Sequence, residues 1–349
     1  MLKFYSNTKI YVPCPAGVVT GGAELLHQLV SYLREHGRDA YIVYYDMITR
    51  QYEYSTVPDD YKCYTIEQTI DIEDNTHNVE VIFEGIFNTI QNRKNIQKVL
   101  WWLSVDNFYI CSKPYLSPLD YIGYDRKRGI RMLIKMLLHL CIGRNDFKNR
   151  LSISQLASMD AINAYQSEYA QYFLQRHGFP NIAPLKDYIN TDHCKSFDKS
   201  IKEDIVLYNP KKGMNYTSKL IKAAPNIHWV PLQGMSREQL VEILKKAKVY
   251  IDFGYHPGKD RLPRECAMNG CCVITGKRGS AAFFEDVSVT DKYKFDERTA
   301  NINDIISTIR WTLANYDTAI DDFQYYRASI AYEKEEFEAQ IRKLFLIEK

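Results

Sequence analysis

The feature that most constrains the fold is a loop, helix and strand block near residue 260. Residues 256–270 read HPGKDRLPRECAMNG, and the apolar run CCVIT at 271–275 follows at once. Pro263 suits the first position of a helix, where no N–H is needed, and Gly270 suits the left-handed residue that ends one. The block therefore predicts a short helix that leads into a buried strand.

Strand and helix patterns alternate along the whole chain. Apolar, β-branched or aromatic runs predict strands at 9–12, 40–45, 79–83, 98–103, 151–154, 205–208, 227–231, 248–253 and 271–275. Such alternation is typical of parallel sheets covered by helices on both faces, and 349 residues exceed the usual size of one core. We therefore predict an α/β protein with two doubly wound, Rossmann-like lobes, 1–187 and 204–322, joined by a polar linker at 188–203.

Composition excludes several classes of protein. Charged residues make up 25% of the chain and the formal net charge is +2, so we expect no nucleic-acid partner. The eight cysteines form no CxxC pair and no zinc-ligand spacing, which predicts reduced thiols, no metal site and no cofactor. No apolar run of about 18 residues and no signal-peptide core is present, so we expect a cytoplasmic protein.

The predicted helix start at 259–265 carries groups that suit a phosphorylated sugar ligand. Lys259, Arg261 and Arg264 would join the free amides and the positive dipole end of the helix in attracting a phosphate. Glu265 lies one turn inside, where a carboxylate can accept hydrogen bonds from sugar hydroxyls. An ordinary solvated loop followed by an amphipathic helix would show the same residues.

Three further loops follow predicted strands or open predicted helices. Gly21 and Gly22 would let the backbone approach a ligand at the carboxyl edge of the first sheet, although many β/α turns contain glycine for steric reasons alone. Other candidates are Lys211 and Lys212, which would compensate a diphosphate, and the helix opening at 279–280. Exposed lysines are common at turns, and a serine such as Ser280 is also a plain N-cap.

Three separated segments resemble the GT-B glycosyltransferases of the retaining type called family 4. They are GGAELL at 21–26, YNPKKG at 208–213, and 257–270, which looks like that family's signature Pro-x-x-Glu-Ala-Met-x-x-Gly. The resemblance implies two lobes that face a cleft, with C-terminal helices from about 323 to 349 that return to the first lobe. It also implies a nucleotide-diphosphate sugar held by Gly21, Gly22, Asn209, Lys211, Lys212, Lys259, Asp260, Arg261, Leu262, Arg264, Glu265, Gly279 and Ser280.

One departure from the family pattern concerns the donor sugar. The family has two glutamates eight positions apart, of which the first contacts the sugar and the second the ribose. In this chain the second matches Glu265, but Pro257 stands at the first position. The resemblance thus gives Glu265 the ribose role, and leaves Lys259 or Asp260 as substitutes at the sugar. The identity of the sugar and the stereochemical outcome stay open.

Acidic residues at predicted strand ends are candidates for the acceptor side. Asp106 follows the strand at 98–103 and would position or deprotonate an acceptor hydroxyl, although such aspartates also cap turns. Glu84, which ends another strand, is a rival for that role. The acidic stretch DIED at 71–74 is the nearest approach to a metal-binding carboxylate pair, and its polar surroundings favour a solvated loop.

The segment 126–142 combines five basic residues with a dense set of apolar ones and ends at Ile142. A helix of this type can lie on an anionic membrane surface, with its cations near the headgroups and its leucines in the acyl boundary. A helix buried between lobes would show the same leucines. A peripheral position at the inner face of the membrane is therefore one expectation for this chain.

Together these residues predict a glycosyltransferase that moves a sugar from a nucleotide-diphosphate donor to a glycan or lipid-linked acceptor. Lys212 and Arg261 would stabilise the leaving diphosphate without a metal ion, and Asp106 would act on the acceptor. Retention of the anomeric configuration is expected from the resemblance. The alternatives are a GT-B-like sugar phosphorylase or epimerase, and a catalytically degenerate member that binds nucleotide without turnover.

Overall fold

The computed structural model describes residues 1–142, 150–189 and 197–347. By internal contacts the chain divides into two compact units. The first comprises 1–166, 170–186 and 337–349, and the second comprises 167–169 and 187–336. The predicted linker at 188–203 lies partly outside the described residues.

The first unit contains a seven-stranded sheet in the order β3-β2-β1-β4-β5-β6-β7, parallel except for the antiparallel edge strand β3. Its central strands β1, β4 and β5 are mostly buried, as is usual for a parallel sheet, and the buried residues include the charged Glu80. The strands are β1 (Lys9–Pro15), β2 (Asp39–Tyr45), β3 (Tyr52–Glu53), β4 (Val79–Phe83), β5 (Gln97–Trp102), β6 (Ile162–Tyr165) and β7 (Ile182–Pro184).

Helix α1 shows how local signals set the elements of this unit. The side chain of Thr20 caps it by accepting a hydrogen bond from the Ala23 N–H, its apolar face is buried, and Gly37 follows its end with φ +76°. The helices in this part of the chain are α1 (Gly21–Glu35), α2 (Val105–Ser112), α3 (Pro118–Tyr124), α4 (Arg126–Cys141), α5 (Ile153–Ala157) and α6 (Glu168–Arg176).

The second unit contains a five-stranded parallel sheet in the order β12-β11-β10-β8-β9. Strands β10 and β11 are buried along almost all of their length, as the apolar runs at 248–253 and 271–275 predicted. The strands are β8 (Glu203–Tyr208), β9 (His228–Pro231), β10 (Ala247–Asp252), β11 (Cys272–Gly276) and β12 (Lys294–Phe295).

Helices connect these strands and complete the chain. Helix α12 begins in the second unit, and its residues from Phe337 onward belong to the first. None of the helices in the described ranges is long and apolar enough to cross a membrane. The helices are α7 (Met214–Ala223), α8 (Arg237–Lys246), α9 (Arg261–Met268), α10 (Ile302–Ala314), α11 (Tyr316–Ala319) and α12 (Gln324–Leu344).

Two local predictions were wrong. The segment 151–154 is not a strand: Ser152 and Gln155 form a capping box that starts α5, so hydrogen bonding at the cap prevails over the apolar pattern. Helix α9 begins at Arg261 and not at Pro263, although Pro263 still lies in the first turn, where its missing N–H costs nothing. Gly270 has φ +82° and ends the helix as predicted.

Candidate functional site

Loops that follow β8, β10 and β11 interlock at the carboxyl edge of the second sheet. Gly213, with φ +63°, lies so close to Phe253 that a Cβ there would come 2.4 Å from its carbonyl carbon. A Cβ on Gly279, with φ +56°, would come 1.9 Å from the carbonyl oxygen of His256, which accepts the N–H of Ser280 at 2.9 Å. Glycine is required at both positions, for conformation and for space.

A chain of charged groups runs through these loops and ends at Lys212. The Lys212 ammonium lies 2.7 Å from Asp260 Oδ2, and that oxygen lies 3.2 Å from Nδ1 of His256. Nε2 of His256 lies 3.6 Å from Oδ1 of Asp252, which also accepts the N–H of Gly254 at 2.9 Å. The carboxylate of Asp260 therefore fixes the Lys212 ammonium, and His256 in turn fixes Asp260.

The neighbouring charges determine the direction in which the pKa values of His256 and Asp260 shift. Burial lowers the pKa of His256, but the carboxylates of Asp252 and Asp260 outweigh that effect and hold it above the usual value. Burial likewise raises the pKa of Asp260, and His256 and Lys212 outweigh it and lower that pKa overall. The two carboxylates thus stabilise the protonated ring by more than burial destabilises it.

The groups of Asp252, His256 and Asp260 also have the chemistry of metal ligands, and one donor atom of each lies within 4.8 Å of the others. The same groups also have partners within the protein. Each ring nitrogen of the imidazole faces a different carboxylate, and Asp260 already carries the Lys212 ammonium. Asp252 accepts hydrogen bonds from a backbone N–H and from the Tyr250 hydroxyl, at 2.7 Å for the latter.

A carboxylate between two arginines lies at the start of α9. Nη1 of Arg237 lies 3.4 Å from both carboxylate oxygens of Glu265, and Arg261 Nη2 lies 4.0 Å from Oε1. The Glu265 side chain is 10% exposed and Arg237 is 52% exposed. Sequence reasoning missed Arg237, although the sequence SREQ at 236–239 marks a capping box that starts a helix just after a strand.

Two of the cations predicted to bind phosphate lie instead in a buried ion-pair cluster. The Arg264 guanidinium is fully buried, with Asp187 Oδ2 at 2.7 Å and Glu333 Oε2 at 2.8 Å. The Lys259 ammonium lies 2.7 Å from Glu333 Oε1. Arg264 also donates to the backbone carbonyls of Lys259 and Asp260, so the cluster fixes the loop that precedes α9.

The other predicted donor residues have varied positions. Asn209 accepts the Lys211 N–H at 3.0 Å and so forms the turn after β8, and Lys211 is exposed. Leu262 packs against the core of the second unit. Ser280 is buried, and its hydroxyl donates to the Gly258 carbonyl at 2.6 Å, so its polar groups hold the loops together.

The predicted residues of the first unit lie at the carboxyl edge of its own sheet. Gly21 and Gly22 form the first turn of α1, and Asp106 is buried in the first turn of α2. Glu84 follows β4 and accepts the Leu103 N–H at 3.0 Å. Burial raises the pKa of Glu84 to about 8, which is near the pH at which a catalytic acid or base works, so Glu84 stays a rival to Asp106.

A cavity of about 500 Å³ opens at the same edge of the second sheet. Its lining comes from the start of α7 and from the segments after β10, β11 and β12. Sequence reasoning predicted none of these residues as ligands. They are Gly213, Met214, Asn215, Tyr216, Lys219, Phe253, Tyr255, Arg278 and Glu297.

Known proteins resemble this chain in structure and not in sequence. No family model matches it, and no curated protein matches it either. Among solved structures, a sucrose-phosphate synthase from Thermosynechococcus elongatus matches with TM-score 0.63 and 11% identity, over 97% of this chain and 98% of that one. Alr3699/HepE from Anabaena, in complex with UDP-glucose, matches with TM-score 0.59 and 9% identity over 97% and 100%.

A third similar structure is a glycosyltransferase from Rickettsia africae, with TM-score 0.56 and 10% identity over 98% of both chains. These likenesses extend over nearly the whole chain and over both parallel-sheet units. The chain thus has the α/β fold of the GT-B glycosyltransferases, with two Rossmann-like units, as its sequence predicted.

Proposed function

We propose that this protein is a glycosyltransferase that moves a sugar from a nucleotide-diphosphate donor to a glycan or lipid-linked acceptor. The observation that carries the proposal is the chain of charges that holds Lys212 at the carboxyl edge of the second sheet, next to the start of α9. In open α/β sheets this edge is where ligands bind. The complex of Alr3699/HepE with UDP-glucose supports a donor of this class.

Lys212 and Arg261 are the groups proposed to stabilise the leaving diphosphate. Their side chains are 27% and 28% exposed, whereas Arg264 and Lys259 form ion pairs with buried carboxylates. Asp260 makes no capping bond to the first turn of α9, since its carboxylate is turned to Lys212 and His256. The dipole end of α9 would then add to the two cations in stabilising developing negative charge.

Glu265 is proposed to accept a hydrogen bond from a ribose hydroxyl. Its carboxylate is largely buried, and its contacts with Arg237 and Arg261, at 3.4 and 4.0 Å, are long for ion pairs. A hydroxyl donor could therefore join the arginines at this carboxylate. Arg237 is proposed as a second nucleotide contact, because it is more exposed and belongs to the same group.

Asp106 is proposed to orient or deprotonate the acceptor. It lies in the first turn of α2, directly after β5, and it is 7% exposed. Glu84, whose pKa burial raises to about 8, is the alternative for this role. We also propose that the reaction needs no divalent cation and retains the anomeric configuration.

Helix α4 is proposed to contact an anionic membrane surface. None of its apolar side chains that the structure describes is buried; Ile134 is 52% and Leu138 is 61% exposed. Its basic residues, which include Arg126, Lys127, Arg128 and Arg131, are exposed as well. Exposed cations beside exposed leucines are typical of helices that lie in a lipid interface.

Donor screening tests the proposed function directly. At 100 times its dissociation constant, a ligand stabilises a protein by about 2.7 kcal/mol, so the correct nucleotide sugar should raise the unfolding midpoint clearly. The panel would contain UDP-, GDP-, ADP- and CMP-sugars, and the best binder would enter a turnover assay with labelled sugar in EDTA. A midpoint that no nucleotide sugar moves would contradict the donor site.

Product analysis separates the alternatives. A transferase gives a new glycoside and free nucleoside diphosphate, and NMR of its anomeric proton reports retention or inversion. A phosphorylase would give a sugar phosphate only when inorganic phosphate is present, and an epimerase would change the sugar while it stays on the nucleotide. A degenerate member would bind the donor and give no product at all.

A further inference from the structure

The cavity beside α7, which we call the α7 cavity, is lined by none of the residues given to the donor. Its volume of about 500 Å³ is in the range of sites for one small molecule. Lys212 and Glu265 do not line it, although Gly213 is shared with the loop that carries Lys212. The α7 cavity is thus a separate place on the second unit, and its occupant does not depend on the proposed donor site.

Aromatic rings form the walls of the α7 cavity. Tyr216 and Phe253 pack with their ring centroids 5.1 Å apart and their planes tilted by 35°. Phe253 is fully buried, so the rings open to a ligand are Tyr216, which is partly buried, and Tyr255, which is 44% exposed. Flat aromatic faces of this kind are where sugar rings and nucleobases stack in proteins.

Two polar atoms in the lining are buried and make no hydrogen bond within the protein. They are Oε1 of Glu297 and the hydroxyl of Tyr216. The Glu297 side chain is 13% exposed, and Gly276 lies directly against it: a Cβ there would come 2.8 Å from Oε1. Since buried polar atoms are nearly always paired, a carboxylate and a phenol in one lining indicate a ligand with hydroxyl or N–H donors.

Positive groups also belong to the lining. Arg278 is 54% exposed and lies 3.6 Å from Oε2 of Glu297, and the Lys219 ammonium lies 5.8 Å above the Tyr216 ring. The N-cap residue of α7 is Gly213, which has no side chain to cap the first amides. A helix N-terminus with an arginine and a lysine nearby suits a phosphate group.

We infer that the α7 cavity binds a phosphomonoester carried on a hydroxylated ring. The phosphate lies at the first turn of α7 with Arg278 and Lys219, the ring stacks on Tyr216 and Tyr255, and a ring hydroxyl or N–H donates to Glu297. A sugar phosphate and a nucleoside monophosphate share this chemistry. The assay below tells them apart.

Calorimetric titration of the full-length protein tests the inference, with glucose 6-phosphate, UMP and inorganic phosphate as probes. At least one ring phosphate should bind saturably and more tightly than inorganic phosphate. Arg278→Gln should weaken it about tenfold or more, the scale of one lost charge-assisted hydrogen bond. Arg298→Gln is the matched control, because Arg298 is 85% exposed, pairs with Asp296 and lies outside the lining.

Glu297→Gln distinguishes the contribution of the ring to the affinity from that of the phosphate. It should weaken the ring phosphate relative to inorganic phosphate, whose binding should not fall, because the change also removes a negative charge 3.6 Å from Arg278. Tyr216→Phe should likewise weaken the ring phosphate, with the aromatic ring kept. Circular dichroism checks that each variant is folded. If neither ring phosphate binds at millimolar concentration, or if Arg278→Gln and Arg298→Gln behave alike, the inference is wrong.

Competition with UDP tests whether the α7 cavity and the donor site are distinct. Saturating UDP should leave the affinity for the ring phosphate unchanged, and Arg278→Gln should leave UDP binding unchanged. Strict competition would assign the ring phosphate to the donor site and overturn the inference. The two proposals can fail separately. If the protein transfers no sugar and binds no UDP, but binds a ring phosphate in a way that depends on Arg278, the proposed function is wrong and the inference about the α7 cavity is supported.

Discussion

Replacing Arg264 with methionine tests whether this arginine supports the fold or binds a ligand. Its guanidinium is fully buried, with Asp187 Oδ2 at 2.7 Å and Glu333 Oε2 at 2.8 Å. Glu333 would keep the Lys259 ammonium, also at 2.7 Å. Asp187 would lose its cation, and its other carboxylate oxygen already has no hydrogen bond. The substitution therefore leaves one carboxylate buried without an opposite charge.

The expected cost follows from that uncompensated charge. Removing one partner of a buried ion pair costs about 3–5 kcal/mol of unfolding free energy. One kcal/mol lowers the midpoint by about 2–4 °C for domains of about 150–250 residues, so Arg264→Met should lower it by about 6–20 °C. Below that midpoint, UDP affinity should be close to that of the wild type, because no part of the guanidinium is exposed to a ligand.

Urea unfolding and calorimetry with UDP measure the two effects separately. Asp187→Asn in the Arg264→Met background removes the orphaned charge, so the double variant should lose about 0.5–3 kcal/mol less than the two single losses added together. An unchanged unfolding free energy together with a tenfold loss of UDP affinity would refute this reasoning. Arg264 would then contact the phosphate, as the sequence alone predicted.

Four further predictions concern the two units separately. Lys212→Gln should weaken UDP binding about ten- to hundredfold in calorimetry, because one charge-assisted hydrogen bond contributes about 1.5–3 kcal/mol. The control is Lys222→Gln, which changes an exposed lysine of α7 and should leave UDP binding unchanged. Glu265→Gln should keep the fold and weaken UDP by a similar factor; unchanged affinity would remove it from the donor site. Glu84 has a folded pKa of about 8 and an unfolded pKa near 4.3, so the native state binds more protons between these values. Unfolding free energy should therefore fall as pH rises from about 5 to 8, by up to about 1.4 kcal/mol per unit, and Glu84→Gln should flatten that slope in urea titrations. Wild-type protein should float with anionic vesicles and be released by salt, whereas the variant with glutamine at 126, 127, 128 and 131 should not float, since each basic residue contributes about 1 kcal/mol of membrane attraction. Equal flotation of the two proteins would show that the basic residues of α4 do not bind the membrane.

Elements whose causes are local could be predicted from the sequence. Strands β10 and β11 follow from apolar runs, and the end of α9 follows from Gly270, whose φ is +82°. The start of α9 was misplaced by two residues. Asp260 is the N-cap, yet its carboxylate pairs with Lys212 and His256 and makes no capping bond, so no local capping signal marks this start.

The candidate site was harder to predict, because its charges are partnered over long stretches of chain. Spacing around 260 identifies Lys259 and Arg264 as cations at a helix start, but their carboxylate partners are Asp187 and Glu333, far away in sequence. Pattern reasoning recognises residue types and turns, and it has no access to such pairs. It also missed His256, although the carboxylates that face its ring, Asp252 and Asp260, are only four residues away on either side.

Burial divides the basic residues of this edge into two groups with different tasks. Arg264 and Lys259 neutralise carboxylates inside the second unit and fix the loop before α9 through its backbone carbonyls. Lys212 and Arg261 keep exposed surface, and Lys212 is held by Asp260. Electrostatic stabilisation of a leaving group is strongest when the charges are fixed before the reaction begins. The buried pairs therefore serve the proposed reaction indirectly, because they fix the loop that leads into Arg261 and carries Asp260, which in turn holds Lys212. A ligand would meet only the second group.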